Sequence, residues 1–392
     1  MVSTAGATDR RARAAVAAVF LTNGAVFANL LPRYPELKDT LGLSNAELGT
    51  AVAAFPLGAL LAGLAASALV RRFRSSRVAS FGMVAVAVGI ALAGLAPNAV
   101  LLAGALFLAG ACDAVVDVAQ NAHALRVQRR YGRSILNSFH ATWSAGAVLG
   151  GLMGSAAAAL ALPLPIHLGV SAALFIAVAL AAFRFLLPGP EDAEREPVET
   201  PTRIRSRAGG KAALVLVVLG VIASAGALIE DSGASWGAVY LTGLGAAAGV
   251  AGLGFVALQA LEFLGRLIGD RVVDRFGQRA TARAGAVVVV LGMGSALAVP
   301  SVPLTIVGFG LAGFGVATLI PAAMHAADEL PGLPPGAGLT VVSWLLRIGF
   351  LCSPPVVGLV ADATSLRVGL LIVPLAGLVV LVGARALPTR VR

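Results

Sequence analysis

Apolar stretches of span length, each closed by a charge cluster or a Pro/Gly break, follow one another along the whole chain. A helix rises about 1.5 Å per residue, so about 20 mostly apolar residues cross a hydrocarbon layer of about 30 Å. On that rule the pattern predicts twelve spanning helices, at about 13–35, 47–70, 77–96, 99–124, 135–161, 166–187, 212–240, 247–269, 281–300, 302–326, 337–361 and 366–387. Ala96-Pro97-Asn98 and Val299-Pro300-Ser301 leave room only for antiparallel hairpins. The longest connection, Pro188 to Lys211, is rich in Glu, Arg and Pro and is expected to be a solvated linker. The predicted organisation is an N-terminal six-helix bundle (1–187), a linker (188–211) and a C-terminal six-helix bundle (212–392). The fold class expected is an all-α integral membrane protein of two pseudo-symmetric bundles.

Composition agrees: 58% of the 392 residues are hydrophobic and 12% charged, and the mean hydropathy is +0.91. Soluble chains carry roughly twice that share of charge, so a water-soluble enzyme is excluded. The net charge of +10 could serve nucleic acid, but the basic residues lie between apolar runs instead of on one soluble face. Their placement has another meaning. Arg10, Arg11 and Arg13, then Arg71 to Arg77, Arg126 to Arg133, the linker, Arg271 to Arg283, Arg390 and Arg392 all fall on one side, and only Arg33, Lys38 and Arg367 on the other. The positive-inside rule then predicts cytoplasmic termini and linker in a cell inner (plasma) membrane. The basic start leads into a span-length run with no small-residue cleavage site, so a retained first helix is expected, not a signal peptide.

An internal repeat emerges when the halves are overlaid. Arg72-Phe73 and Arg275-Phe276 are 203 apart, His123 and His325 are 202 apart, and Trp143 and Trp344 are 201 apart. Parallel six-span repeats are one architecture of secondary transporters.

The turn after the eighth span is Asp270-Arg271-Val272-Val273-Asp274-Arg275-Phe276-Gly277-Gln278-Arg279. It resembles the Gly-x-x-x-Asp-Arg-x-Gly-Arg-Arg loop of the major facilitator superfamily, with Gly269 one place early. In the turn after the second span Arg71 stands where the family has Asp, and Arg74 where it has Gly. With twelve spans and duplicated halves, the resemblance covers essentially the whole chain and implies a secondary transporter. A carboxylate at a helix end can pair with arginines or a helix N-terminus and release on opening. Asp274, with Arg275, Gly277 and Arg279, is therefore the candidate cytoplasmic gate. The stretch from Gly132 through Asn137, His140 and Trp143 to Gly146 resembles the fucose-permease-like branch, which implies proton-coupled sugar symport. Gly146-Ala147-Val148-Leu149-Gly150-Gly151 is similar to the Gly-Pro-x-x-Gly-Gly motif of drug/proton antiporters, with Ala147 replacing its proline and Leu106 standing where that group carries Arg.

Ionisable groups inside a bilayer are costly and usually face a cavity or a partner. In the fourth span Asp113, Asp117, Gln120 and Asn121 share one helical stripe. Asp113, near mid-depth, suits substrate or proton binding, because a desolvated carboxylate can alternate between neutral and charged forms; the alternative is static pairing with Arg126 or Arg347. Asp117 suits an inner gate or a static pair. Asn137, His140 and Ser144 share a face of the fifth span. His140 either relays protons or bonds a neighbouring helix, and Trp143 either stacks on a sugar ring or fills space. Glu230 and Asp231 precede a glycine-rich stretch, Gly233 to Gly237, expected to interrupt the seventh span and line the pathway. Gln259, Glu262 and Arg266 align in the eighth span, with Glu262 and Arg266 spaced for an ion pair. Arg347, with Trp344 on its side of the eleventh span, is expected to be a counter-ion for Asp113, Glu262 or Glu230, or else a substrate contact.

Asn23, Asn29, Asn137, Gln259 and the paired charges favour a small polar solute such as a sugar, carried with protons by alternating access in a monomer. Proton-driven export of drugs or other amphipathic compounds is the alternative. Cys112 and Cys352 lie in apolar runs, and no P-loop, metal cluster or cofactor motif is present in the sequence, so neither an enzyme nor a nucleic-acid partner is expected.

Overall fold

The computed structural model describes residues 6–132, 134–189, 210–331, 333 and 336–389, so most of the expected linker lies outside the described residues. The helices are α1 (Ala7–Ala28), α2 (Tyr34–Leu41), α3 (Asn45–Phe73), α4 (Ser75–Ala93), α5 (Ala99–Tyr131), α6 (Leu136–Ala159), α7 (Leu164–Phe183), α8 (Gly210–Gly243), α9 (Ala248–Ala251), α10 (Leu253–Phe276), α11 (Gln278–Ala298), α12 (Val302–Val316), α13 (Leu319–Asp328), α14 (Ala337–Ala363), α15 (Leu366–Gly369) and α16 (Ile372–Gly383). Short breaks split α1 from α2, α9 from α10, α12 from α13 and α15 from α16, so the expected twelve spans each find a helical segment. Among the described residues, eleven are long and apolar enough to cross a membrane. The remaining segment, α6, begins with Asn137, Ser138, His140, Thr142 and Ser144, which lower its hydropathy.

The chain forms two compact units, Met1–Leu43 with Ala54–Val198, and Ser44–Ala53 with Glu199–Arg392. In the first, α1 packs along α6 and against α5 and α7, and α4 packs on α5 and α7. Its core stacks Phe20 of α1 on Phe139 of α6, centroids 5.5 Å apart. In the second, α8 packs along α14 and against α13 and α16, while α12 lies against α10 and α11. The first residues of α3 belong to this second unit because Asp362, at the end of α14, caps them: its carboxylate accepts from the backbone N–H of Asn45 (3.0 Å) and of Ala46 (2.8 Å) and from Asn45 Nδ2 (2.8 Å). A carboxylate there satisfies orphan donors and complements the helix dipole.

Small residues set the helix spacing, and they repeat. A Cβ on Gly110 would lie 2.0 Å from the Phe55 carbonyl oxygen, and one on Gly313 would lie 2.0 Å from that of Leu258. Likewise Gly146 abuts the Leu21 carbonyl and Gly349 that of Ser224. All four glycine and carbonyl positions recur at an offset of 203. The basic turns follow the same offset. Arg72 lies over the Phe73 ring at 5.7 Å and Arg275 over that of Phe276 at 5.5 Å.

Gly277 starts α11 at φ 83°, ψ 157°, and Arg74 starts α4 at φ 75°, ψ 143°. The degraded first copy therefore keeps a glycine's backbone with an arginine in it. That region is essentially glycine-only and costs about 1–3 kcal/mol for other residues. Arg74→Gly is expected to raise stability by about 1 kcal/mol, read by chemical denaturation of purified protein. A loss of stability in that variant would mean that the arginine side chain contributes more than its backbone costs.

The structure corrects one expectation. Residues 233–237 do not interrupt the seventh span, because α8 runs unbroken from Gly210 to Gly243. Gly233 is instead a packing residue, whose Cβ would meet Leu258 at 2.2 Å. The breaks fall at 29–33, at Gly252, at Ala317-Thr318 and at Leu370-Leu371.

Candidate functional site

In the first unit, Asn23 of α1 gathers a polar cluster. Its Nδ2 donates to Asp113 Oδ1 at 2.6 Å, and its Oδ1 accepts from Trp143 Nε1 at 2.8 Å and from Gln120 Nε2 at 3.3 Å. Gly24, the next residue, makes this possible: a Cβ there would sit 2.2 Å from the Trp143 carbonyl oxygen, so α6 approaches closely enough for the indole to reach Asn23. The stripe on α5 continues the cluster. Asp117 Oδ1 accepts from Gln120 Nε2 at 3.3 Å and from Asn121 Nδ2 at 3.0 Å. Asn23 and Gln120 are buried, Asp113 and Trp143 are partly buried, and Asp117 is exposed. The cluster thus runs from core to surface. Gln120 Oε1 is buried without a hydrogen bond among the described residues.

Arg126 is buried and donates to the Pro188 carbonyl at 3.0 Å. Arg347 is exposed on α14, as is Trp344, and among the described residues it has no hydrogen bond or ion pair. Asn137 and His140 are exposed at the start of α6, with His140 edge-on to Phe20 at 5.4 Å. Gln128 was missed by sequence reasoning. Its Oε1 accepts from the backbone N–H of Ile135 and Leu136 and so anchors the start of α6. Asn29 lies elsewhere, its Nδ2 donating to the Ala25 carbonyl at 2.8 Å and its Oδ1 contacting His167 Nε2 at 3.1 Å. His167 in turn touches the buried Arg33, which pairs with Glu36. Those groups are spent on one another.

The second unit holds its own charges. Glu262 is buried and pairs with Arg266, one turn along α10; its Oε2 has no hydrogen bond among the described residues. Gln259 is buried one turn earlier. Glu230 is partly buried on α8, which packs on α10. Asp231 accepts from Ser235 Oγ at 3.3 Å, and its Oδ2 is buried without a hydrogen bond among the described residues, while the hydroxyl of Ser353 on α14 contacts that of Ser232 at 3.1 Å.

At the basic turn Arg279 holds the end of the described chain, donating to the carbonyls of Leu387 at 2.9 Å and Arg385 at 2.8 Å. Asp274 is exposed and has no hydrogen bond or ion pair among the described residues. Among the described residues no three His, Cys, Asp or Glu side chains could hold a metal, and both cysteines are free. A groove of about 520 Å³ between α8 and α16 is lined by Val217, Val221, Leu375, Leu378 and Val382. Its lining is apolar, so a hydrophilic solute would find its partners at the polar clusters instead.

Comparison with known proteins places these observations in context. The family profile described as Major Facilitator Superfamily matches residues 16–245. The "Uncharacterized transporter y4wD" of Sinorhizobium fredii is 32% identical over 366 residues, covering 92% of this chain and 94% of the relative. An "Uncharacterized MFS-type transporter" of Yersinia pestis is 28% identical over 368 residues, covering 94% and 93%. Among solved structures, that of the nucleoside transporter NupG superposes with a TM-score of 0.75 at 13% identity, covering 97% of this chain and 98% of NupG. That last likeness is one of fold.

Proposed function

This chain belongs to the major facilitator superfamily of membrane transporters, and on that footing we propose that it imports a small polar solute such as a sugar by proton symport, working by alternating access. The Asn23 cluster carries the reading. Asn23, Asp113, Gln120 and Trp143 converge amide, carboxylate and indole N–H groups. Carboxylate and amides exchange hydrogen bonds readily with hydroxyl groups, and an aromatic face covers the apolar face of a sugar ring. The likeness of 132–146 to the fucose-permease-like branch supports the same substrate class and the coupling ion.

The fuller reading takes the halves as 1–187 and 212–392, joined by a linker at 188–211, with termini and linker in the cytoplasm of an inner membrane and the protein acting as a monomer. Asp274, Arg275, Gly277 and Arg279 form its cytoplasmic gate motif, in which Asp274 is available for pairing. Asp117, Asn137 and His140 line the inner part of the route, and Asp231, Gln259 and Trp344 its second-half wall. Arg347 contacts the solute. A guanidinium at mid-span without a partner costs about 2.5–3.5 kcal/mol in a helix centre, so it is retained where water and a ligand reach it.

A thermal-shift screen of the purified protein against sugars, nucleosides, organic acids and drugs, followed by flux in proteoliposomes, tests this. A hydroxyl-rich solute is expected to stabilise the protein and to accumulate when the outside is acidic, with loss of accumulation on adding a protonophore. Stabilisation by amphipathic drugs alone, with efflux driven by inward proton flow, would replace import by export. Arg347→Ala is expected to lower uptake at least tenfold at unchanged expression, about 1.4 kcal/mol of lost binding; uptake at the parental rate would remove Arg347 from the route.

A further inference from the structure

We propose that the apolar groove between α8 and α16 binds one anionic phospholipid, with an acyl chain in the groove and the phosphate at the basic end of the two helices. The inference rests on the chain's place in a bilayer and not on the solute, direction or coupling proposed above.

The groove of about 520 Å³ is lined by apolar side chains. Val217, Leu375 and Val382 are each more than half exposed, and both helices belong to segments long and apolar enough to cross a membrane. This face therefore meets hydrocarbon. From Leu375 to Val382 the groove runs about 10 Å along α16 at 1.5 Å per residue, inside the roughly 15 Å of one leaflet. That length suits one lipid chain, whereas a helix of a second copy would cross both leaflets. The linker 190–209 contains no apolar run that could cover the groove instead.

One end of the groove is basic. A Cβ on Gly383 would meet Ile222 at 3.2 Å and Val218 at 3.7 Å, so the end of α16 lies beside the start of α8. Arg385 follows in the turn Ala384–Ala386; it is exposed, and its side chain has no hydrogen bond or ion pair among the described residues. Arg279 of α11 donates to the carbonyls of Arg385 and Leu387 and so fixes the backbone that carries it. The segment 200–211, leading into α8, has Arg203, Arg205, Arg207 and Lys211 and no acid, and 384–392 has Arg385, Arg390 and Arg392 and no acid. Of these, Arg203, Arg205, Arg207, Arg390 and Arg392 lie outside the described residues. Helix α11, which also packs on α16, adds Arg279 and Arg283 and no acid.

Acids on the helices around α8 do not cancel this charge. On α13, Asp328 accepts from the Gly336 N–H at 3.1 Å and Glu329 lies 3.8 Å from His325. On α10, Asp270 and Asp274 are matched by Arg271 and Arg275. Glu230 and Asp231 of α8 stand beyond Val221 by about 13 Å or more along the axis. Lipid tails are as apolar as the valines and leucines they meet, so filling the groove selects no lipid over another. Selection falls to the headgroup: a phosphodiester with net negative charge accepts from a guanidinium and is drawn to clustered basic residues, whereas a zwitterionic headgroup carries its own cation.

The test uses the full chain purified in uncharged detergent. Phosphatidylglycerol or phosphatidylcholine with the same acyl chains is titrated in, and bound lipid is counted by native mass spectrometry. One phosphatidylglycerol per chain is expected to be retained, with a preference of at least about tenfold over phosphatidylcholine that shrinks in high salt. Arg385→Gln should lower that preference about fivefold, since each basic residue at a membrane surface contributes about 1 kcal/mol; it leaves in place the carbonyl that Arg279 uses. Arg71→Gln, at an exposed arginine ending α3, should leave the preference unchanged. Val221→Phe and Val379→Phe occupy the groove and should each displace the lipid, whereas Val170→Phe, on an exposed face of α7, should not. A phosphatidylglycerol with a diazirine in its chain should crosslink within 217–221 and 375–382. Equal retention of the two lipids, a loss in Arg71→Gln matching that in Arg385→Gln, retention undisturbed by both groove-filling variants, or a dimer joined through this face would each overturn the proposal. Two groove-filling variants guard against one failing to fold.

Discussion

Alanine at Gly110 or at Gly313 is expected to prevent recovery of folded protein, while alanine at Gly104, on the same helix as Gly110, leaves it intact. The added Cβ would stand 2.0 Å from the Phe55 or Leu258 carbonyl oxygen, whereas a Cβ at Gly104 meets nothing within 4 Å. The obstructing atom is backbone, so no side chain can rotate away. The helices must separate by about an ångström, and a gap of 0.5–1 Å forfeits a quarter to a half of each dispersion contact along the seam. Helices in lipid are held mainly by such packing, since lipid tails are as apolar as leucine. Overpacking alone costs about 1–3 kcal/mol and occasionally more, and total stability is only about 5–15 kcal/mol. We expect losses of at least about 3 kcal/mol at both close-contact sites. Gly104→Ala should be neutral or stabilising by up to about 1 kcal/mol from helix propensity. Monodisperse yield and chemical denaturation in detergent give the comparison, and equal stability of the three variants would refute the role assigned to the close contacts.

These contacts also explain how much the sequence revealed. Hydropathy finds the spans because the bilayer imposes one length on every helix, and it finds all twelve helical segments in order. The repeat was visible, but two of its three landmarks mislead. The packing repeats at 203, so Trp143 corresponds to Leu346 and His123 to Ala326. Trp344 and His325 are accordingly exposed, while Trp143 bonds Asn23 and His123 is buried against Ser75. Arg72-Phe73 and Arg275-Phe276 were the faithful pair. The deeper signal was glycine, which composition makes too common to notice and which only the facing carbonyls identify. The stripe of Asp113, Asp117, Gln120 and Asn121 followed from helical periodicity alone. Its completion by Asn23 and Trp143 did not, because contacts between helices leave no spacing in the chain. The same reason hid Gln128 and the Asp362 cap. Arg347 was assigned Glu262 among its acids, and that acid pairs with its i,i+4 neighbour Arg266.

Asp113→Asn is expected to lower solute exchange as well as proton-driven accumulation. None of the positions Asp113, Glu230, Glu262 and Arg347 has an ionisable counterpart at 203, where Val316, Phe27, Ala59 and Ser144 stand. The scaffold is duplicated and these ionisable residues are not. Asp113 Oδ1 accepts from Asn23 at 2.6 Å, and the same Asn23 orients Trp143 and Gln120. Hydrogen bonds to a charged group contribute about 1.5–3 kcal/mol, so the neutral isostere should reduce exchange about 10- to 100-fold, at about 1.4 kcal/mol per tenfold. Asn23→Ala should do comparable harm by releasing the indole and the carboxylate together. The double variant should then cost less than the sum, because members of one network are not additive. Counterflow in proteoliposomes with the solute found by thermal shift reads exchange without a gradient, and helicity by circular dichroism controls for folding. Exchange within about twofold of the parent in Asp113→Asn, with accumulation alone abolished, would move the coupling proton to Asp113 and take it out of solute recognition.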